Sequence, residues 1–143
     1  MKVFETNHLV TLADLNHHQS LLAPRQAAWH MEAAFNAASE TQGTALGIVA
    51  RNINQMSYTA PGRGGDIVHL FSQVVHVGVH TMTVHTVMKA FNGKQLSESY
   101  ITFATIEEGT SIKRAHGVVL DEPADEAEAN ARETAEKFLQ FRL

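Results

Sequence analysis

Four polar side chains that could take part in acid–base chemistry lie together near the N-terminus. Asn16, His17, His18 and Ser20 precede an Ala-rich stretch, and Pro24 predicts that a helix begins there. An amide can orient a water molecule or a carbonyl group, and an imidazole can move a proton near neutral pH. The free N–H groups of a helix N-terminus favour developing negative charge. The segment is therefore a candidate catalytic site, although Asn, Ser and His are equally typical of ordinary turns.

Glu32 is a candidate general base in the middle of the predicted helix. A sheet that covers the helix would partly desolvate this carboxylate, raise its pKa and make it usable as a base or nucleophile. The alternative is an exposed or dimer-facing Glu that pairs with Arg25 or with a partner residue. Ser20 is not expected to act as a nucleophile, because no strand-to-helix G-x-S-x-G turn surrounds it.

A metal centre is not predicted. The chain has 9 histidines but no pair with the helical HExxH spacing of a zinc site. We expect most of them to be solvent-facing or hydrogen-bonded; His17, His18 and His30 lie around the start of the helix. The sequence contains 0 cysteines, which excludes a thiolate nucleophile, disulfides and Cys-ligated metal.

Composition narrows the class of protein further. With 143 residues, of which 44% are hydrophobic and 18% charged, the chain suits one domain with a substantial core. The net charge of −4 and the pI of about 6.1 argue against a nucleic-acid partner. No apolar run approaches the length of a membrane span, and the N-terminus lacks the apolar core of a signal peptide. We therefore expect a cytoplasmic protein with no membrane partner.

Apolar periodicity and turn residues predict a strand, a long helix, four further strands and a terminal helix. The predicted bounds are 3–13 for the first strand, 24–39 for the helix, 45–56, 66–77, 81–91 and 96–107 for the later strands, and 121–143 for an acidic C-terminal helical extension. The apolar face of the long helix is predicted to comprise Ala27, Met31, Ala34, Phe35 and Ala38. Asn92-Gly93 predicts a type I′ hairpin turn. Phe138, Leu139 and Phe141 are expected to dock the terminal helix on the body of the protein.

This element order favours the α+β class. One amphipathic helix would be wrapped by an antiparallel sheet whose last four strands form a meander. Such a sheet leaves an edge strand open, and the pairing of two copies edge to edge would cover it.

Several segments together resemble the hotdog fold and, within it, the acyl-CoA thioesterase superfamily. The sequence from Asp14 to His18 is similar to the D-x-N loop ahead of the central helix, and Trp29 to Ala34 is similar to a W-M-D-E-A-A stretch inside that helix. Ala60-Pro61 followed by Gly65 to Val68 resembles the pattern that leads into the long strand. The similarity extends over about residues 4–120; its other segments are Val77-Gly78, His80 to Val84, Asn92 to Lys94 and Ile101 to Ala104.

The chain departs from this family at two positions. A Gly-Gly pair usually precedes the helix, where backbone N–H groups approach the thioester carbonyl, but here the segment is Leu22-Ala23-Pro24. Since Pro24 has no N–H, an oxyanion contact would have to come from the backbone of Ala23 or Arg25. The family's helix carboxylate falls on Met31, which cannot act as a base. Glu32 could take that role after a small shift.

The resemblance implies a single hotdog domain over residues 1–143 that hydrolyses acyl-CoA thioesters in a pocket at a homodimer interface. Asn16, His17, His18 and Glu32 would be the catalytic residues, and Arg63 in the Gly-rich loop is a candidate for binding a CoA phosphate. No cofactor is expected, because coenzyme A would be part of the substrate, and assembly into higher oligomers of dimers is consistent with the family. The alternatives are a non-hydrolytic acyl-CoA or acyl-ligand binding protein and a hotdog hydratase or lyase.

Overall fold

The computed structural model describes residues 1–140, so the prediction for Phe141 lies outside the described residues. The elements are β1 (Phe4–Leu9), a short 3-10 turn (Leu12–Asp14), α1 (Ala23–Gln42), β2 (Ile48–Tyr58), β3 (Ile67–Val77), β4 (Thr81–Lys89), β5 (Gln95–Thr105) and α2 (Glu126–Gln140). Every predicted element is present within this range. The first strand is shorter than predicted, because the backbone N–H and hydroxyl of Thr11 both donate to the Asp14 carboxylate and fold the chain into the 3-10 turn.

The five strands form one antiparallel sheet in the order β1-β3-β4-β5-β2. The α+β prediction is confirmed, but the meander of four strands is wrong. Only β3, β4 and β5 follow one another, because β2 pairs with β5 and not with β3. The connection after β2 crosses the end of the sheet, where Thr59 and Ala60 donate to the carbonyl of Leu96. Strands β1 and β2 therefore form the two open edges of the sheet.

Helix α1 lies across one face of the sheet, which we call the inner face. Proline in its first turn and Gly43 at its end set its length; Gly43 has a left-handed φ of 95° and its N–H bonds the carbonyl of Ser39. Alanines dominate the contact and allow the helix to approach the strands closely. The core formed with the sheet comprises Ala33, Ala34, Ala37, Ala38, Ile48, Val68, Leu70, Val74, Met82, Val84, Met88, Ile101 and Phe103.

The buried face of α1 differs from the prediction. The buried helix residues are Gln26, Trp29, His30, Ala33, Ala34, Ala37 and Ala38, so only Ala34 and Ala38 of the predicted face are buried. The face is rotated by about 100°, the angle of one residue. Trp29 and His30 occupy the core, whereas Met31 and Phe35 are only partly buried beside it.

The turn between β4 and β5 is a hairpin, as predicted, but it is not of type I′. Gly93 has a φ of 91°, whereas Asn92 is not among the residues with positive φ. The N–H of Gly93 donates to the carbonyl of Ala90, and the N–H of Ala90 to the carbonyl of Lys94. The chain reverses direction as it would in a type I′ turn, but only Gly93 has a positive φ, whereas a type I′ turn requires two such residues.

Helix α2 packs on the opposite, outer face of the sheet. Ala131, Ala135 and Phe138 contact Val75 and Tyr100, and the Phe138 and Tyr100 rings meet edge to face at 5.2 Å. The predicted docking through Phe138 is thus present, although the helix begins at Glu126 instead of residue 121. Within residues 1–140, neither helix combines the length and apolar character needed to cross a membrane.

Candidate active site

The segment that precedes α1, residues 14–22, is held against the helix by a buried carboxylate. We call it the pre-helix loop. Asp14 is 6% exposed, and its carboxylate lies 3.6 Å from the guanidinium of Arg25. The backbone N–H of Thr11, assisted by the Thr11 hydroxyl and the charge of Arg25, holds the pKa of Asp14 below its usual value despite burial. Because Leu22 also donates to the Asp14 carbonyl at 2.8 Å, both ends of the loop are fixed.

Asn16 is the most constrained of the predicted site residues. Its side-chain oxygen accepts hydrogen bonds from the backbone N–H of His18 at 2.8 Å and from the N–H and hydroxyl of Ser20 at 3.1 and 3.2 Å. Its backbone N–H donates to the Ser20 carbonyl at 2.8 Å. The Asn16 side chain is therefore oriented by its own loop.

The two loop histidines are exposed side by side. The rings of His17 and His18 lie 3.9 Å apart between centroids, and both side chains face solvent. Gln19 follows with a φ of 62°, the only positive φ at a non-glycine residue in the described range. Non-glycine residues adopt this conformation at a cost and frequently at functional sites.

The first turn of α1 leaves backbone donors free beside this loop. Within residues 1–140, the N–H groups of Ala23 and Arg25 donate to no backbone carbonyl, and Leu22 supplies no side-chain cap. The hydroxyl of Tyr58, at the end of β2, donates to the Ala23 carbonyl at 2.9 Å. Tyr58 thus ties the helix N-terminus to an open edge of the sheet. Because 35 residues separate the partners, no local pattern in the sequence indicates this contact.

Arg63 is brought to the same end of the molecule. Ser20 and Arg63 form an isolated β-bridge, and Leu21 donates to the Gly62 carbonyl at 2.9 Å. Arg63 and Gln19 both line a groove of about 650 Å³ whose other walls are largely apolar. Asn16, His17 and His18 therefore lie in the pre-helix loop, Ala23 and Arg25 lie in the helical turn that follows it, and the backbone of Arg63 is paired with the loop at Ser20.

Glu32 does not join this group in the protomer. Its side chain is 68% exposed and lies 3.9 Å from the imidazole of His8 on β1, which stacks on Trp29 at 4.3 Å. Nine residues separate it from Ala23, a rise of about 13 Å along the helix axis. The expected desolvation of Glu32 by the sheet is absent, because the helix is rotated and presents Trp29 and His30 to the strands. Met31 lies on the other flank and packs against the core cluster that includes Ile48 of β2.

His30 is separated from the two loop histidines and lies in the core. It is fully buried, and its ring nitrogens contact the hydroxyls of Ser99 at 2.6 Å and Ser97 at 2.8 Å. Burial lowers the pKa of His30 to about 4, so the ring is neutral near pH 7. The imidazole has a structural role that the sequence did not indicate, because its partners lie 67 and 69 residues away.

A second polar group lies on the outer face, away from the pre-helix loop. His85 and Glu98 are 2.7 Å apart, and His85 stacks on Tyr100. The hydrogen bond from His85 lowers the pKa of Glu98, while burial raises the pKa of Tyr100 to about 12. These side chains line a cavity of about 720 Å³ between the sheet and α2. Among the described residues, no cluster of three or more His, Cys, Asp or Glu side chains could hold a metal ion.

Comparison with known proteins identifies the fold. An acyl-CoA hydrolase from Staphylococcus aureus, solved with butyryl coenzyme A and coenzyme A, superposes with a TM-score of 0.82 at 22% identity over 96% of this chain and 82% of its own. A hexameric acyl-CoA thioesterase gives 0.84 at 22% identity over 96% and 88%. An acyl-CoA hydrolase from Bacillus cereus gives 0.83 at 20% identity over 98% and 85%. The chain has the hotdog fold.

The resemblance found in the sequence is also confirmed at the level of the family. Residues 27–97 of this hotdog protein match the family model of the Thioesterase superfamily. That range includes most of α1, β2, β3, β4 and the hairpin turn into β5. The comparison with curated proteins gives no match.

Proposed function

We propose that this hotdog protein hydrolyses acyl-CoA thioesters at the pre-helix loop. The observation that supports the proposal is the oriented Asn16 side chain in a loop that leads directly into the free N–H groups of Ala23 and Arg25 and is bridged to the backbone of Arg63. The Thioesterase superfamily match and the acyl-CoA hydrolases of the same fold support the choice of substrate class.

The site is suited to stabilising an oxyanion. A thioester carbonyl at the start of α1 would meet the free N–H groups of the first turn and the positive end of the helix dipole. Pro24 offers no N–H, so Ala23 and Arg25 are the backbone donors available there. Such donors act mainly on the transition state, because negative charge on the carbonyl oxygen develops only as the nucleophile attacks.

The hydrolysis proceeds by attack of water on the carbonyl carbon. A base takes the proton from the water, the tetrahedral intermediate collapses, the C–S bond breaks and the CoA thiolate leaves and is protonated. In one protomer, His17 and His18 are closer along the chain to Ala23 than Glu32, which lies about 13 Å along the helix from Ala23. Glu32 remains a candidate base for a carbonyl bound along the flank of the helix.

The proposed pocket requires a second copy. Strand β2 is an open edge with Val49 and Ile53 exposed, and its last residue, Tyr58, contacts the helix N-terminus. Pairing of two β2 edges would join the two sheets into one and place a second surface beside this end of α1. The acyl chain would lie between the subunits, with Arg63 available for a CoA phosphate at the surface.

A thiol-release assay on acyl-CoAs of increasing chain length tests the activity. We expect turnover by the native protein and a fall in kcat of about 100-fold in Asn16→Ala, the usual effect of removing an oxyanion donor. Comparison of Glu32→Gln with a His17→Gln/His18→Gln double variant identifies the base. If the native protein releases no thiol above the protein-free blank on any chain length, the hydrolase assignment fails; activity that is equal in the native protein and Asn16→Ala would contradict the role of Asn16 alone.

The second candidate is a protein that binds acyl-CoA without hydrolysing it. It is favoured by Met31 at the position of the family's carboxylate and by the exposure of Glu32 on the flank that faces β1. Calorimetric binding of an acyl-CoA that mass spectrometry then recovers intact would decide for this candidate.

A further inference from the structure

The pre-helix loop contains a hydrogen-bonded arrangement that fixes which end of the Asn16 amide is available to a ligand. Three donors converge on one side-chain atom of Asn16, two of them backbone N–H groups, from His18 and Ser20. A backbone N–H can only donate, so the atom that receives these bonds must be the amide oxygen. The amide therefore has one orientation, because rotating it by 180° would place its NH₂ group against two N–H donors.

The amide nitrogen of Asn16 is the end that remains free to donate a hydrogen bond to a ligand. Within residues 1–140 it donates to no protein group, and it is not one of the buried polar atoms that lack a partner, so it is accessible to solvent. An amide NH₂ donates and cannot accept a hydrogen bond. Asn16 can therefore polarise a carbonyl oxygen, but it cannot accept a proton or a hydrogen bond from the attacking water through its occupied oxygen.

Ser20 supplies two of the three bonds to this oxygen, one from its N–H and one from its hydroxyl. The loop keeps Ser20 in place: its carbonyl accepts the Asn16 N–H, it bridges to Arg63, and the left-handed φ of Gln19 turns the chain back toward Asn16. An Asn whose oxygen had a single partner could rotate and exchange its two ends. The backbone N–H groups of His18 and Ser20 oppose that rotation, and the Ser20 hydroxyl adds a third bond that holds the oxygen in place.

We propose that Ser20 is a positioning residue, which holds Asn16 with its amide nitrogen directed at the carbonyl of the bound acyl group. This inference rests on the proposed function and adds to it the role of Asn16, a donor to the carbonyl, and the residue that enforces that role. It also explains the strained backbone at Gln19, because the turn must bring Ser20 within reach of Asn16.

The decisive probe is a ketone analogue of butyryl-CoA in which CH₂ replaces the thioester sulfur. Its carbonyl survives whether or not the protein is a hydrolase, and isotope-edited infrared spectroscopy reports the hydrogen bonds that this carbonyl accepts. In the native protein we expect the C=O band to lie at lower frequency than in Asn16→Asp, which keeps the shape and the three accepted bonds but removes the donor. Ser20→Ala should shift the band part of the way toward the Asn16→Asp value, and Ser20→Thr should restore it.

Kinetics on butyryl-CoA give the second readout. We expect Ser20→Ala to lower kcat by roughly 10-fold and leave KM nearly unchanged, because the bond strengthens as charge develops on the oxygen. Ser111→Ala removes an exposed hydroxyl from another loop and serves as the matched control. Circular dichroism of each variant confirms that the fold is retained.

The outcomes separate the two proposals. If calorimetry shows that the native protein does not bind the analogue, the proposed function fails and the role of Ser20 fails with it. If the analogue binds and butyryl-CoA is hydrolysed, but the C=O band is the same in the native protein, Asn16→Asp and Ser20→Ala, then the proposed function stands and the donor role of Asn16 is wrong. A band that shifts in Asn16→Asp and not in Ser20→Ala overturns the positioning role alone.

Discussion

At the scale of single residues, the most informative side chain is one that faces no ligand. His30 places an imidazole in the centre of an otherwise apolar and hydroxyl-lined core, with a serine hydroxyl at each ring nitrogen. A neutral imidazole has one N–H donor and one acceptor, and a hydroxyl can satisfy either, so the buried group is fully hydrogen-bonded in its neutral form. Protonation would add a buried charge, and the effect of burial, together with that of His85, outweighs the attraction of Glu98.

The His30 pKa predicts how stability depends on pH. The folded-state pKa is about 4 and the ordinary value is 6.5, so between these values the unfolded chain binds a proton that the folded chain does not. The free energy of unfolding should therefore fall as pH drops from about 6.5 to about 4, by at most about 3 kcal/mol from this residue. Urea unfolding of the native protein and of His30→Gln between pH 7.5 and pH 4.5 checks this.

The comparison needs a histidine that remains solvated. His17→Gln removes an exposed imidazole from the loop, and its pH dependence should match that of the native protein. His30→Gln should be less stable at pH 7.5 but show a smaller loss on acidification. If the free energy of unfolding falls equally with pH in the native protein and in His30→Gln, the lowered pKa of His30 in the folded protein is contradicted.

At the scale of elements, the sequence predicts where helices and strands form, because that depends on neighbouring residues. It does not predict how they rotate and pair, because that depends on contacts between distant residues. The strands follow from alternating apolar residues, and α1 from alanines between Pro24 and Gly43. The rotation of α1 does not follow, because alanines occur on every side of it and the choice between burying Trp29 and His30 or Met31 and Phe35 depends on the strands that face them. The pairing of β2 with β5 likewise depends on the whole sheet.

In the candidate site too, features set by neighbouring residues are predictable and those set by distant contacts are not. The turn at Asn16 is predictable as a loop because the bonds to its side chain come from His18 and Ser20, two and four residues away. The charge of Arg63 and its Gly-rich loop make it a candidate from the sequence, but its bridge to Ser20 is visible only in the structure. Glu32 is a candidate through the resemblance of its helix to that of the family, and the rotation of α1 leaves its side chain exposed.

The close contact between α1 and the sheet predicts the effect of enlarging a helix residue. Ala37 is fully buried between Ala33, Ala38 and the strands, whereas Ala28 on the same helix faces solvent. Ala37→Leu should lower the free energy of unfolding by about 1–3 kcal/mol, because the extra methyl groups force the helix away from the sheet. Ala28→Leu is the matched control and should change stability by less than about 0.5 kcal/mol. Urea unfolding measures both, and similar losses in the two variants would contradict the packing described for α1.

At the scale of the whole molecule, the two sheet edges are alike in exposure and different in what lies beside them. Tyr58 links the end of β2 to the first turn of α1, beside the free N–H groups of Ala23 and Arg25, whereas β1 lies beside Trp29 and Glu32 on the other flank of the helix. A second copy that paired along β2 would thus complete the walls of the proposed pocket. One that paired along β1 would cover Glu32 and leave Ala23 and Asn16 without a facing surface.

The two edges offer a matched pair of substitutions. Ile53 on β2 is 50% exposed and Leu9 on β1 is 57% exposed. A lysine directed into an interface between identical strands is brought close to its own symmetry mate, so Ile53→Lys should convert a dimer paired through β2 into a monomer and abolish thiol release. Leu9→Lys adds the same charge at the opposite edge and should keep the dimer; because Leu9 lines the groove shared with Arg63, this variant is a control for assembly and not for activity. Sedimentation velocity combined with the thiol-release assay measures both properties. If Leu9→Lys dissociates the protein and Ile53→Lys does not, the subunits pair through β1, and Glu32 rather than Asn16 would lie at the interface.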